Sequence, residues 1–251
     1  MSLFVILGLC IIYFVVGIFS VSVGGTTLVM VPLLIYAGMD IKTAIATNMF
    51  ALIFLSLSGM FGFRKEIKKQ HIWWLIAFVI LTLISSFLGA KLVLGINEEI
   101  LKKIIAVIII LAAGTLFIKK DAGLNENKNK IAVWKIIVGL ILVFVLGVYG
   151  GFFSGGYVTI LTYVLILFFG LSFLQSAFDT KVINFFSSGI ACVIFFVNNL
   201  IDFRLGLIFA VFISIGALFG TKLAIKKGNK WIRIIYLTAI FILAIKLLLF
   251  G

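Results

Sequence analysis

The chain has 251 residues, is 64% hydrophobic and only 12% charged, and its mean hydropathy is +1.36. So much apolar surface excludes a water-soluble domain and calls for a polytopic α-helical membrane protein. The apolar runs are continuous and about 20 residues long, unlike the alternating strands of a β-barrel. The formal net charge of +13 excludes little by itself. The Lys and Arg residues sit in short loops between apolar runs, as the positive-inside rule expects, so a nucleic-acid partner is not indicated.

The opening MSLFVILGLCIIYFVVGIF lacks a basic leader and a small-x-small cleavage site and reads as a retained first helix. Apolar segments follow at about 3–20, 24–38, 43–63, 72–94 and 101–118, then at about 132–150, 152–171, 178–200, 204–225 and 231–250. The 24–38 run is short for a full span of about 20 residues and reads as a half-helix or one arm of a re-entrant hairpin. The expected fold is therefore all-α and polytopic, with about eight to ten transmembrane or half-helix segments. A first repeat over 1–118 and a second over 132–251 flank a polar linker at 119–131.

The two halves share landmarks in the same order. Gly17-x-x-Ser20, Gly24-Gly25 and Ala44-x-x-Thr47 reappear as Gly151-x-x-Ser154, Gly155-Gly156 and Ala177-x-x-Thr180. Ser58-Gly59 matches Ser188-Gly189, and Gly89-Ala90-Lys91-Leu92 matches Gly220-Thr221-Lys222-Leu223. Ordered landmarks at a nearly constant offset indicate an internal duplication.

Three basic clusters set the expected orientation: Arg64 to Lys69, Lys119 to Lys135, and Lys226 to Arg233. They are assigned to the cytoplasm, flanked by Trp73, Trp74, Trp134 and Trp231 as an aromatic belt, with the loops near Asn97 and Asp202 outside. Matching loops then lie on opposite sides, which requires an odd number of crossings per half. The repeats are thus expected to be inverted in the membrane, with both termini outside.

Candidate chemistry is concentrated where small and hydroxylic residues interrupt the apolar sequence. Gly24, Gly25, Thr26 and Thr27 precede Pro32, the only proline, which is expected to kink or break that segment. A helix start formed there would present backbone N–H groups and a positive dipole end to a small anion. Thr47 and Asn48 in the first half, and Gly155, Gly156, Thr180 and Asn184 in the second, add neutral donors to the expected substrate-binding set. Close packing through small residues and bonds back to the helix are the plainer roles for the same residues. Asp179 and Lys181 are candidates for charge coupling, since ionised groups within a span are costly. Lys91 and Lys222 read mainly as lysines reaching for water near helix ends.

Cys10 and Cys192 lie in apolar segments and read as core residues, and His71 is the single histidine, so no metal site or cofactor is expected. No nucleophile–base set, phosphate loop or metal motif supports an enzyme. No nucleotide-binding domain is present to drive transport, which leaves ion or substrate gradients or the membrane potential.

These residues resemble the sulfite exporter (TauE/SafE) family of membrane permeases. The likeness is carried by Gly17-x-x-Ser20, Gly24-Gly25, Pro32-Leu33 and Ala44-x-x-Thr47, then by Gly147-x-Tyr149-Gly150-Gly151-Phe152-Phe153-Ser154-Gly155-Gly156, Ala177-x-x-Thr180-Lys181 and Asn184. It implies a permease of the prokaryotic cytoplasmic membrane that exports a small sulfur-containing anion such as sulfite or an organosulfonate. Val21-Ser22-Val23 and Tyr157 stand where the family pattern has more glycine or a smaller residue. The expected partners are a small anionic substrate and the lipid bilayer, with no nucleic acid; homo-oligomerisation is left open. The expected mechanism is alternating access between the halves, and the rival readings are a non-transporting scaffold or assembly partner and an anion channel.

Overall fold

The structure, a computed structural model, describes residues 1–66, 72–97, 100 and 131–250. The expected segment at 101–118, linker residues 119–130, Lys68, Lys69 and His71 lie outside the described residues. Eight α-helices and no strand occur among those described. They are α1 (Leu3–Val23), α2 (Thr26–Tyr36), α3 (Ile41–Phe63), α4 (Ile72–Gly95), α5 (Val133–Phe152), α6 (Tyr157–Phe169), α7 (Phe173–Val197) and α8 (Phe203–Phe250). A 3₁₀ turn, Arg64–Glu66, follows α3. In α8 the backbone leaves helical geometry at Gly228 (φ 75°, ψ −172°), between the two apolar segments read there from the sequence.

Six helical stretches among the described residues are long and apolar enough to cross a membrane: Leu3–Ser22, Ile41–Phe63, Ile72–Gly95, Val133–Phe152, Phe173–Val197 and Phe203–Gly228. The protein is a multi-pass membrane protein. Helices α2 and α6 are too short to span, at 11 and 13 residues. The segment expected over 152–171 is shortened because its first residues form a break instead of helix.

Helix ends follow from local chemistry. Asp40 caps α3 by accepting from the Thr43 backbone N–H at 3.0 Å, and Ser172 caps α7 by accepting from that of Gln175 at 3.3 Å. Gly170 ends α6 in the left-handed region (φ 69°), where an L side chain would be strained. Pro32 lies inside α2, and the interruption falls instead on Gly24–Gly25. Proline's missing N–H and ring clash affect the preceding turn, which in α2 is its first one.

Two seams of backbone contact organise the bundle. A Cβ at Gly216 would lie 2.1 Å from the Phe14 carbonyl oxygen, and one at Gly220 would lie 2.0 Å from that of Ile18. Helices α1 and α8 therefore run parallel with their backbones touching, which only glycine allows. The other seam joins α4 to α5: a Cβ at Gly89 would lie 1.9 Å from the Val148 carbonyl oxygen, and one at Gly151 would lie 2.1 Å from that of Ser86. Ser86 reinforces it, donating to the Gly147 carbonyl at 2.9 Å and sharing a hydrogen bond with Ser187 at 2.7 Å. At the centre α3 and α7 run antiparallel, with Ser56 against Asn184, and Gly59 against Lys181.

The contacts also sort the helix ends. Lys42 donates to the Leu94 carbonyl at 3.2 Å and the Asp202 backbone N–H donates to Thr47 Oγ1 at 3.0 Å. The start of α3, the end of α4 and the start of α8 thus share one end of the bundle. At the opposite end Trp74 and Phe78 of α4 pack on Phe169 of α6, Gly139 of α5 faces the same ring, and Gly62 of α3 abuts Thr221 of α8. Because α1 parallels α8 and α2 leads into the start of α3, the α1–α2 hairpin enters and leaves at one end. The α5–α6 hairpin enters and leaves at the other.

Candidate functional site

Both hairpins turn at glycine pairs. At the first, Gly24 (φ 81°) donates its N–H to the Ser20 carbonyl at 2.8 Å, closing α1, and Gly25 (φ 89°) starts α2. At the second, Ser154 takes a left-handed conformation (φ 62°) and Gly156 (φ 76°) starts α6. The Tyr149 hydroxyl donates to the Gly155 carbonyl and ties this turn to α5. The turns touch. A Cβ at Gly24 would lie 2.8 Å from Val158 Cβ, and one at Gly155 would lie 2.8 Å from Leu28 Cδ2. Two helix starts, one from each half, therefore meet inside the protein beside the α3–α7 crossing.

They border a cavity of about 10 Å³, room for about one water molecule. Its polar lining is Ser20, Thr26, Thr27, Ser154, Lys181 and Asn184, with Gly24 and Gly25 at the turn. All six polar side chains are buried. Asn184 donates to Ser56 Oγ at 2.8 Å, and its carbonyl oxygen has no protein partner. Turning the amide over would let the Ser56 hydroxyl donate to the oxygen and free the NH₂ toward the cavity. Such a lining offers hydroxyl and amide donors, a cation and two positive dipole ends in one buried place, the chemistry that suits a small oxyanion.

Of the sequence-derived candidates, Gly24, Gly25, Thr26, Thr27, Asn184 and Lys181 line this cavity. Gly155 and Gly156 form the facing turn. Asn48 stands behind it, donating to Thr27 Oγ1 at 2.9 Å and accepting from the Tyr13 hydroxyl at 3.2 Å, so it links α1, α2 and α3. Thr47 is not in the lining and accepts from the Asp202 backbone near one end. Thr180 bonds back to the Ala177 carbonyl at 3.2 Å. Asp179, 2% exposed, accepts from Gln175 Nε2 at 3.2 Å and lies outside the lining. Ser20 and Ser154 were not among the candidates. They close the repeated Gly-x-x-Ser motif, and that symmetry was the signal that marks them. Cys10 and Cys192 are buried free thiols. Among the described residues no cluster of three His, Cys, Asp or Glu could hold a metal ion.

A family model for sulfite exporter TauE/SafE matches residues 9–247. The chain belongs to this family. It is similar to a probable membrane transporter protein of Haemophilus influenzae, at 27% identity, covering 93% of this chain and 91% of the relative. It is similar also to probable membrane transporter protein YfcA of Escherichia coli K12, at 26% identity over 92% of this chain and 85% of that protein. A third relative is probable membrane transporter protein ORF9 of a Sinorhizobium species, at 24% identity over 94% of this chain and 89% of the relative. No solved structure matches the chain. The family and these relatives together support a membrane transporter, a class that is not enzymatic in general.

Proposed function

We propose that this family member is a secondary transporter that exports a small anion, a sulfur oxyanion such as sulfite or an organosulfonate, across a prokaryotic cytoplasmic membrane. The observation that carries the reading is the meeting of two glycine-broken helix starts on one buried, hydroxyl-lined cavity. Half-helix N-termini aimed at an anion near the membrane centre are a recurring transporter device. The contacts we assign to the anion are the N-terminal turns of α2 and α6 with Thr26, Thr27, Ser20, Ser154 and Asn184. Asn48, Thr47 and Thr180 hold the frame around them.

Alternating access operates between two inverted halves. The antiparallel run of α3 against α7, which occupy matching places in the halves, supports that inversion. So do the hairpins entering from opposite ends. Arg64, Lys65, Lys222 and Lys226 gather around one groove, and the positive-inside rule assigns that end to the cytoplasm. Export of an anion from a cell that is negative inside gains about 2.3 kcal/mol per charge per 100 mV.

The test is flux from proteoliposomes loaded separately with sulfite, thiosulfate, sulfate, taurine, sulfoacetate or acetate, with a potential imposed. Saturable release of one sulfur anion above empty liposomes is expected. Folded protein that releases none of them refutes the reading.

A further inference from the structure

We infer that Lys181 is the movable counter-charge of the anion site: it rests on the end of α1 when the site is closed and turns to the anion when the site is loaded. The inference rests on the transporter reading and deepens it, by specifying how the negative charge is neutralised. Lys181 is 1% exposed, within α7, and is one of the residues that line the central cavity. Among the described residues its ammonium donates to the Ser20 carbonyl oxygen at 3.2 Å. That oxygen already accepts the Gly24 N–H at 2.8 Å, the bond that closes α1 at the hairpin turn.

No carboxylate among the described residues pairs with this cation. Asp179, two residues earlier on the helix, takes its hydrogen bond from Gln175. A lysine buried in a membrane helix without a counter-ion costs several kcal/mol, so its retention calls for a partner the closed protein does not supply. Helix C-terminal carbonyls are a natural resting place for a cation, but they are neutral and leave the charge uncompensated. The chain also makes room for the stem. A Cβ at Gly59 would lie 2.7 Å from Lys181 Cγ and 3.0 Å from its Cδ, so glycine at 59 is what lets the side chain lie flat across α3 into the cavity.

The second half alone supplies this charge. The residue after the matching threonine in the first half is Asn48, whose amide is engaged with Tyr13 and Thr27. An anion entering the cavity meets Lys181 Nζ, Asn184 and the hydroxyls of Ser20 and Ser154. By drawing Nζ away from the Ser20 carbonyl it removes one of the two hydrogen bonds that this carbonyl accepts at the end of α1. Loading would thus loosen the turn that must move, and coupling of occupancy to hairpin motion needs no further element.

The experiment compares wild type, Lys181→Gln, Lys181→Met and Gly59→Ala in proteoliposomes, together with thermal unfolding in detergent with and without sulfite. KM for the transported anion is expected to rise by about tenfold to a hundredfold in Lys181→Gln and Lys181→Met, the range for losing a charged hydrogen bond. Gly59→Ala, which keeps the charge but displaces the stem, should raise KM in the same direction. Unliganded Lys181→Met should unfold at or above the wild-type temperature, because an unpaired buried charge is gone, and a given sulfite concentration should raise that temperature more in wild type than in the Lys181 variants. Unchanged KM in Lys181→Gln and Gly59→Ala, while wild type transports, overturns the counter-charge role. A lower unfolding temperature for Lys181→Met with unchanged KM would make the residue a structural strut and overturn it as well. Wild type that moves none of the anions removes the transporter reading, and this inference falls with it.

Discussion

The glycine seams make a quantitative prediction. Adding a methyl group at Gly89 puts a carbon 1.9 Å from the Val148 carbonyl oxygen and 2.9 Å from the Phe152 nitrogen. Close C···O approaches in proteins stop at about 3.3 Å, so α4 and α5 must separate locally by more than an ångström. The obstruction is backbone on the facing helix, which cannot rotate away as a side chain could. Gly189, inside α7, has nothing within 4 Å of its Cβ position and serves as the control. Both substitutions gain the helix preference of alanine over glycine, about 1 kcal/mol, so that term cancels between them. What remains is the overpacking cost of about 1–3 kcal/mol, equivalent to about 2–12 °C in Tm for a chain of this size. Thermal unfolding in detergent, followed by tryptophan fluorescence, should rank Gly189→Ala at or above wild type and Gly89→Ala below it. Gly220→Ala, 2.0 Å from the Ile18 carbonyl oxygen, should fall with Gly89→Ala. Equal melting of Gly89→Ala and Gly189→Ala would refute the claim that the seams are backbone-tight.

Two further substitutions separate frame from site. Thr47→Val removes the acceptor for the Asp202 N–H at 3.0 Å and should cost about 1–3 kcal/mol of stability, read as a lower unfolding temperature with the flux KM preserved. Ser154→Gly relaxes a left-handed serine (φ 62°) and should stabilise the protein by about 1 kcal/mol, while flux falls because a hydroxyl of the cavity lining is lost. Stabilisation with undiminished flux would remove Ser154 from the anion's contacts.

The sequence carries the helices and the two breaks in the open. Apolar length sets the spans, and paired glycines are visible because few residues other than glycine tolerate positive φ. The short α2 was legible from its run of 24–38, whereas α6 was not. An apolar stretch of nearly full length hides a helix whose first residues are spent on the Ser154 to Gly156 turn. Pro32 misled for a related reason: as the chain's only proline it marks interrupted helix, but the interruption lies seven residues earlier, at Gly25. Thr47 and Asn48 are adjacent, and both are buried donors near the start of α3. Which of the two reaches toward the centre depends on the rotation of that helix against α2 and α8, a tertiary quantity that no local pattern states.

Pairing between helices was the least legible feature, and it bears on the mechanism. Gly17, Gly216 and Gly220 could have served loose small-residue packing with any neighbour. Only the fold reveals that α1 of the first half lies on α8 of the second, and α5 of the second half on α4 of the first, each through carbonyl contacts that cannot slide without clashing. Each hairpin is therefore fastened to a spanning helix of the opposite half. A displacement of α1, whose end carries the Ser20 carbonyl bonded to Lys181, is transmitted to α8 as a rigid step, because packed backbones shift between discrete arrangements and do not deform continuously. On the proposed mechanism, the interlock leaves Gly24–Gly25 and Ser154–Gly156, the two turns that border the cavity, as the joints about which the bundle would bend, beside the residues proposed to meet the anion.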